Sequence, residues 1–298
     1  MFIKIGKSFL VKSNYRAYTK IMSKMSSGEN MGIKLTEVVA ALEKFAPKHL
    51  SEQWDNTGLL VEPYTPRNIT KILLTNDLTE DVALEAKEKS CEMIISYHPP
   101  IFAPLKSIIQ SAWKERIVSL LLETRIYLYS PHTSWDSVKG GVNDWLASAF
   151  PFDNSVPIIP GEDTETGAGR FLSITDNTDF KIHQAVESVK NLTGLKHVRL
   201  ALAKGKTTND KVRSVALCAG SGGSVLKKAA NVDLFLTGEM LHHDILDATQ
   251  RGITVILTNH SDSERGFLQG FSTHLRRELE NQVDVIVSKC DKDPLLTV

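Results

Sequence analysis

The sequence predicts an α/β protein of two lobes with mainly parallel or mixed sheets, and three observations carry that reading. From residue 71 onward, short β-rich runs alternate with helical stretches, the rhythm that accompanies parallel pairing with helical crossovers. The rhythm stops between Pro151 and Gly169, where Pro151, Pro157, Pro160, Gly161, Gly167 and Gly169 gather as in a connection between lobes. It then resumes and continues to the C-terminus.

The folded part is expected to begin at Leu35 with a helix that Thr36 can N-cap. Val38, Val39, Leu42 and Phe45 form its apolar face, and Pro47 closes it. The runs KILLT (71–75), CEMIIS (91–96) and IYLY (126–129) read as strands. Helices are predicted over 81–90 and 112–124 between them, and from Gly141 to about Phe150 after them. Past the connection come a strand near 170–174, a helix over 183–193 and a strand near 197–203. Strands at 212–217, 233–237 and 253–258 then alternate with helices at 224–230 and 240–251. A long helix over 263–279 and a strand at 283–288 finish the chain.

The composition supports a sizeable core, with 42% apolar and 23% charged residues. The 298 residues suit one large domain or two ordinary ones. Thirty-five basic residues balance thirty-five acidic ones, so no overall field recruits nucleic acid or an anionic membrane. No apolar run approaches the ~20 residues that span a bilayer. Cys91, Cys218 and Cys290 are odd in number and scattered, which argues against a disulfide framework and for a reducing compartment. All three read as small core or edge residues. Residues 1–30 stand apart: Lys4, Lys7, Lys12, Arg16, Lys20 and Lys24 precede the first acid, Glu29. A mitochondrial presequence and a basic tail both fit this stretch, and an internal start at Met25 or Met31 gives a cytosolic form.

Three predicted strands end in the same kind of residue. CEMIIS runs into Tyr97-His98-Pro99-Pro100, IYLY into Ser130-Pro131-His132-Thr133-Ser134-Trp135-Asp136, and ITVILT into Asn259-His260-Ser261-Asp262-Ser263-Glu264. Ligands in open parallel sheets bind at the carboxyl ends of the strands, so His98, Asp136, His260 and Glu264 are expected to converge. Two imidazoles and two carboxylates make a borderline N/O set suited to Zn, Mn, Fe, Co or Ni, as one ion or as a carboxylate-bridged pair. Taken singly, each has a plainer reading. Asp136 can N-cap a turn, and Glu264 can complete a capping box with Ser261. Glu239, His242 and His243 follow another strand. The two histidines point about 100° apart on a helix, so at most one faces the site.

These residues lie in segments that resemble the NIF-three-like family, also labelled GTP cyclohydrolase I type 2-like. The matching segments are WDNTGLLV (54–61), SYHPPIF (96–102), SPHTSWDSVKGGVNDWLA (130–147), LTGEMLHHDILDA (236–248) and NHSDSERGFL (259–268), and the eukaryotic branch fits best. The resemblance implies a dinuclear metal protein in which a second lobe (151–260) is inserted in the first (31–150 plus 261–298). His98, Asp136, His260 and Glu264 would then meet in the cleft between the lobes. It also implies a homo-oligomer, commonly a hexamer built from dimers, and a general metal-assisted hydrolase in which His242 or Glu239 serves as acid or base. The target would be a small nucleotide-like or phosphorylated molecule. The family's name points instead to a binding role with a transcription-related partner. One departure concerns the metals. Bacterial relatives carry paired histidines where this chain has Tyr97-His98, and a phenol, with a reference pKa of ~10, is a poor ligand near neutral pH.

Two other motifs lead nowhere or to something plainer. Gly205-Lys206-Thr207 lacks the earlier glycine of a phosphate-binding loop. Gly220-Ser221-Gly222-Gly223 lacks the third glycine of a dinucleotide fingerprint, and reads as a tight strand-to-helix turn.

Overall fold

The computed structural model describes residues 32–152, 154–173 and 179–296, so the N-terminal extension and its presequence reading lie outside the described residues. Two sheets organise the chain. The first has the order β1-β4-β3-β2-β13, from Gly58–Val61, Tyr127–Ser130, Met93–Ser96, Lys71–Thr75 and Asp284–Val287 respectively. β2, β3, β4 and β13 run parallel, and β1 closes the edge antiparallel to β4. The second has the order β5-β8-β10-β11-β12-β9, from Asn154–Val156, Arg170–Ser173, Ser214–Cys218, Leu234–Thr237, Thr254–Leu257 and Arg199–Ala201. Here β10, β11 and β12 are parallel, and β5, β8 and β9 pair antiparallel. β6 (Ile159–Pro160) and β7 (Gly167–Ala168) form a separate ribbon.

Strict alternation of side chains explains why such apolar strands sit centrally. Ile72, Leu74, Met93, Ile95, Tyr127 and Tyr129 face the helices Leu35–Phe45 and Phe267–Glu278. Leu73, Ile94 and Leu128 face the opposite way, toward the helices Glu80–Glu88 and Trp113–Thr124. The second sheet repeats the pattern. Val215, Leu217, Leu234, Leu236 and Ile256 cover the helix Ile182–Thr193, while Ala216, Phe235, Val255 and Leu257 cover the other face. Both lobes are therefore helix–sheet–helix layers. The chain enters the second sheet after the helix Val142–Ala147 and returns to the first sheet with β13, which makes the second lobe an insertion.

Several local expectations change. The first helix starts without Thr36 as its cap, because Lys34 takes that position and its N–H donates to the Glu37 carboxylate at 2.8 Å. The stretch 151–169 is more than a connection, since β5 joins the second sheet and β6 and β7 pair with each other. The predicted helix from Gly141 to Phe150 is only Val142–Ala147, and the one at 240–251 begins at His242. The long helix expected from Ser263 splits into a 3-10 turn, Ser261–Ser263, and a helix from Phe267. Ser263 causes the break: its hydroxyl bonds the His260 carbonyl at 2.6 Å and accepts from the Gly220 N–H at 2.7 Å. Cys91 is buried and Cys218 half-buried, but Cys290 is exposed in the C-terminal segment rather than at a core edge. No helix among the described residues is long and apolar enough to cross a membrane.

Candidate metal centre

The carboxyl ends of the parallel strands of both sheets face one another, and every residue of the site except Asp55 comes from one of those ends or the loop that follows. His98 follows β3, and His132 and Asp136 follow β4. Gly220 follows β10, Glu239 follows β11, and His260 and Glu264 follow β12. β2 adds Asn76 and Asp77, which the sequence reading passed over. The first sheet changes its winding direction at β2, with β3 on one side and β13 on the other. Such a switch point is where crevices open in α/β sheets.

His98, His260 and Glu264 come together with candidate ligand atoms all within 4.8 Å of one another. Glu264 is 3% exposed, with Oε2 3.5 Å from His98 Nε2 and Oε1 3.5 Å from His260 Nε2. Two donors each ~2.05 Å from one ion at the tetrahedral angle would stand roughly 3.3 Å apart, so each of these pairs has room for a cation, one beside each oxygen or one shared. The far nitrogen of each ring is already engaged. His98 Nδ1 donates to Asp77 Oδ1 at 2.9 Å and His260 Nδ1 to Glu239 Oε1 at 2.5 Å. An ionised carboxylate can only accept, so each bond places the proton on Nδ1 and leaves the Nε2 lone pair toward Glu264. His132 shows the same bracing, with Nδ1 2.8 Å from the fully buried side chain of Asp55.

Asp136 lies beside this trio rather than in it. It is the fourth residue of the short helix Thr133–Ser137, so it does not cap it. Tyr97 Oη donates to Asp136 Oδ1 at 2.5 Å, and this phenol occupies the place where a second histidine was looked for. Burial pushes the Asp136 carboxyl above its ordinary value, while the Tyr97 bond and the nearby His132 and His98 pull the other way. Glu264 is driven well above the usual carboxylate range, first by burial and then by the charge of Asp136. The same two carboxylates, after burial itself, hold the Tyr97 phenol well above its normal value. Two buried carboxyls with so few donors form a site deficient in positive charge. Asn76 Nδ2 is the donor that reaches Glu264, at 3.1 Å, and Asn76 Oδ1 is buried with no partner among the described residues. The donor chemistry therefore suits a divalent cation.

Aromatic packing fixes the two halves of the site to each other. Trp135, next to Asp136, is fully buried and lies 4.1 Å from Phe271 and 5.4 Å from Phe267, ring to ring, on the helix that follows Glu264. Such pairs contribute ~0.5–1.5 kcal/mol each beyond their burial. Two glycines let the second lobe press in. A Cβ on Gly220, whose φ is +63°, would stand 2.5 Å from Glu264 Oε1 and 3.0 Å from His260 Nε2. One on Gly238 would meet the Asn259 and Gly220 carbonyl oxygens, both at 2.7 Å. The Gly220–Gly223 run is indeed a strand-to-helix turn, and its backbone abuts the cluster. Glu264 makes no capping box with Ser261, whose hydroxyl donates to Asp293 at 2.7 Å. Glu239 is committed to His260, and His242 and His243 are exposed at the start of their helix.

Fold and site together define a two-lobed α/β protein with a carboxylate-braced histidine cluster in its cleft. The chain belongs to the Duf34/NIF3 (NGG1p interacting factor 3) family, whose profile matches residues 33–294. It is 51% identical to NIF3-like protein 1 of Drosophila melanogaster, over 90% of each chain. It is 35% identical to the Homo sapiens protein of that name, over 89% of this chain and 92% of that one. NGG1-interacting factor 3 of Saccharomyces cerevisiae is 38% identical over 88% and 96%. Among solved structures, a Bacillus cereus protein related to NIF3 shares the fold with a TM-score of 0.77 at 22% identity, covering 89% of this chain and 99% of that one. Reduced HcgD from Methanocaldococcus jannaschii gives 0.73 at 26% identity, over 86% and 98%.

Proposed function

We propose that the chain holds a divalent metal at His98, His260 and Glu264, with Asp136 and His132 flanking a second position, and works as a metal-dependent hydrolase. Its target would be a small phosphorylated or nucleotide-like molecule. One observation carries this: the two rings nearest Glu264 are each pinned through Nδ1 to a carboxylate, leaving Nε2 toward a buried acid. Imidazole and carboxylate donors suit Zn, Mn, Fe, Co or Ni. Once bound, such an ion supplies hydroxide near neutral pH from its own water. The protein's part is positional. Asp77 and Glu239 orient the rings, Tyr97 holds Asp136 by donating its proton to Oδ1, and Gly220 keeps space for Glu264. Glu239 is thereby read as a positioning residue, and His242, exposed and in ring contact with His243, lines neither cavity beside the cluster.

The second reading is a binding protein, favoured by the name of the yeast relative, an NGG1-interacting factor. In that case a transcription-related partner would dock on a homo-oligomer, a hexamer built from dimers, and the metal would be structural. Residence would be mitochondrial or cytoplasmic, and also nuclear for such a partner. A screen of phosphoesters, nucleotides and cyclic amides with metal-loaded and metal-stripped protein separates the two. Turnover that needs both the metal and Glu264 supports the hydrolase. Full metal occupancy with no turnover refutes it and leaves the binding role.

A further inference from the structure

We propose that the cleft of about 620 Å³ on the C-terminal side of the cluster binds a phosphorylated small molecule through Lys114, Arg199 and Lys292. This rests on the hydrolase reading and assigns the residues that would hold the phosphate of its substrate. The three bases come from distant parts of the chain: the helix Trp113–Thr124 of the first lobe, edge strand β9 of the second, and the C-terminal segment. All three line one cavity that His98 and His260 also border. The acids lining the same cavity each already accept a hydrogen bond. Asp77 is held by His98, Glu239 by His260, and Asp293 by the Ser261 hydroxyl. Lys114, Arg199 and Lys292, by contrast, have no ion-pair partner among the described residues, and Lys114 Nζ merely sits 5.4 Å over its own neighbour's ring, Trp113.

Basic side chains without an ion-pair partner, in a concave and partly apolar site, offer an incoming anion its hydrogen-bond donors. Three cations from three parts of the chain suit the several oxygens of a phosphate dianion better than the two of a monocarboxylate, and the Arg199 fork can engage two at once. Pro99, Pro100 and the half-exposed Trp113 supply an apolar surface for the rest of the molecule. Lys292 is not a loose surface lysine on a trailing end. The residues on either side of it are anchored: Asp291 accepts from the Asn76 N–H at 2.7 Å and pairs with Arg265, and Asp293 accepts from Ser261. The anchored segment thus holds its lysine at the cavity mouth.

The test uses full-length, metal-loaded protein and calorimetric titration with phenyl phosphate, with benzyl alcohol as its uncharged counterpart. Phenyl phosphate should bind, more weakly as salt is added, while benzyl alcohol should not. Arg199→Gln and Lys292→Gln should each weaken binding about tenfold, the loss expected for one charge-assisted hydrogen bond, with metal content unchanged. Absence of phenyl phosphate binding overturns the proposal. So does binding that both variants leave intact, or that His49→Gln, on the cavity at the other side of the cluster, weakens instead. Binding is read without turnover, so this assignment and the hydrolase reading fail separately.

Discussion

Replacing Asp77 by asparagine isolates the bracing of His98. The carboxylate oxygen stands 2.9 Å from Nδ1, and asparagine retains an acceptor of the same shape while removing the charge. Loss of such an outer partner typically weakens a metal site 10–100-fold. Solvent reaches 36% of the Asp77 side chain and 22% of His98, which screens part of the charge, so the lower end applies. The expected loss is about tenfold, or about 1.4 kcal/mol. Asp55, whose side chain is fully buried, would give a larger effect through His132, but it also accepts from the Thr133 hydroxyl, so folding would suffer with binding. Zinc affinity is read by competition with a chelator of known strength, alongside a thermal melt. An Asp77→Asn protein with unchanged melting and affinity within twofold of wild type would refute the argument that ring orientation sets the site.

Other consequences are equally concrete. Gly220→Ala places a methyl 2.5 Å from Glu264 Oε1 in a left-handed backbone, so metal content after dialysis should fall severalfold while far-ultraviolet dichroism stays the same. Arg170 is 1% exposed and links the lobes through Asp144 and the carbonyls of Ser137 and Val138. Arg170→Ala should cost roughly 3 kcal/mol in denaturant titration, the low end for a broken buried pair, because Asp144 loses its cation but keeps the Gly140 N–H and the Ser155 hydroxyl. Burial alone would raise the Glu85 carboxyl, but Lys89, Ser288 and the N–H groups of Lys289 and Cys290 outweigh it and bring it to about 2 from 4.5. A folded value below the unfolded one stabilises the protein above pH ~4.5 and is lost as pH falls toward 2. That shift is worth about 3 kcal/mol, so wild type should lose that much more stability than Glu85→Gln between pH 5 and 2.

Much of the site was legible because it obeys one rule. Strands rich in Ile, Leu and Met stop at histidines, and ligands gather at such carboxyl ends, so His98, His260 and Glu264 were each readable as site residues, although the strands belong to two sheets that meet only because the lobes face each other. Applied to KILLT, the same rule reaches Asn76 and Asp77, so those two were readable and missed. Asp55 was not readable in this way, since it precedes the antiparallel edge strand β1 and approaches His132 from 77 residues away. The return of the chain to the first sheet was also hidden. Periodicity distinguishes a strand from a helix, but only pairing tells that β13 lies beside β2 rather than β12. Glu239 was noticed as a strand-end acid, yet its partner depends on how two lobes face each other, which local sequence does not encode. Tyr97 shows the converse: its substitution for histidine was visible at once, and its bond to Asp136 gives that substitution a physical meaning.

Metal analysis by mass spectrometry most directly tests the claim that this cleft is a cation site. Wild type and Glu264→Gln would be equilibrated with divalent metals, then freed of excess. The account predicts at least one ion per wild-type chain and a near-complete loss in Glu264→Gln, with folding retained because the variant removes an unfavourable buried charge. A wild-type chain that retains no ion, or a Glu264→Gln chain that retains as much as wild type, would contradict it.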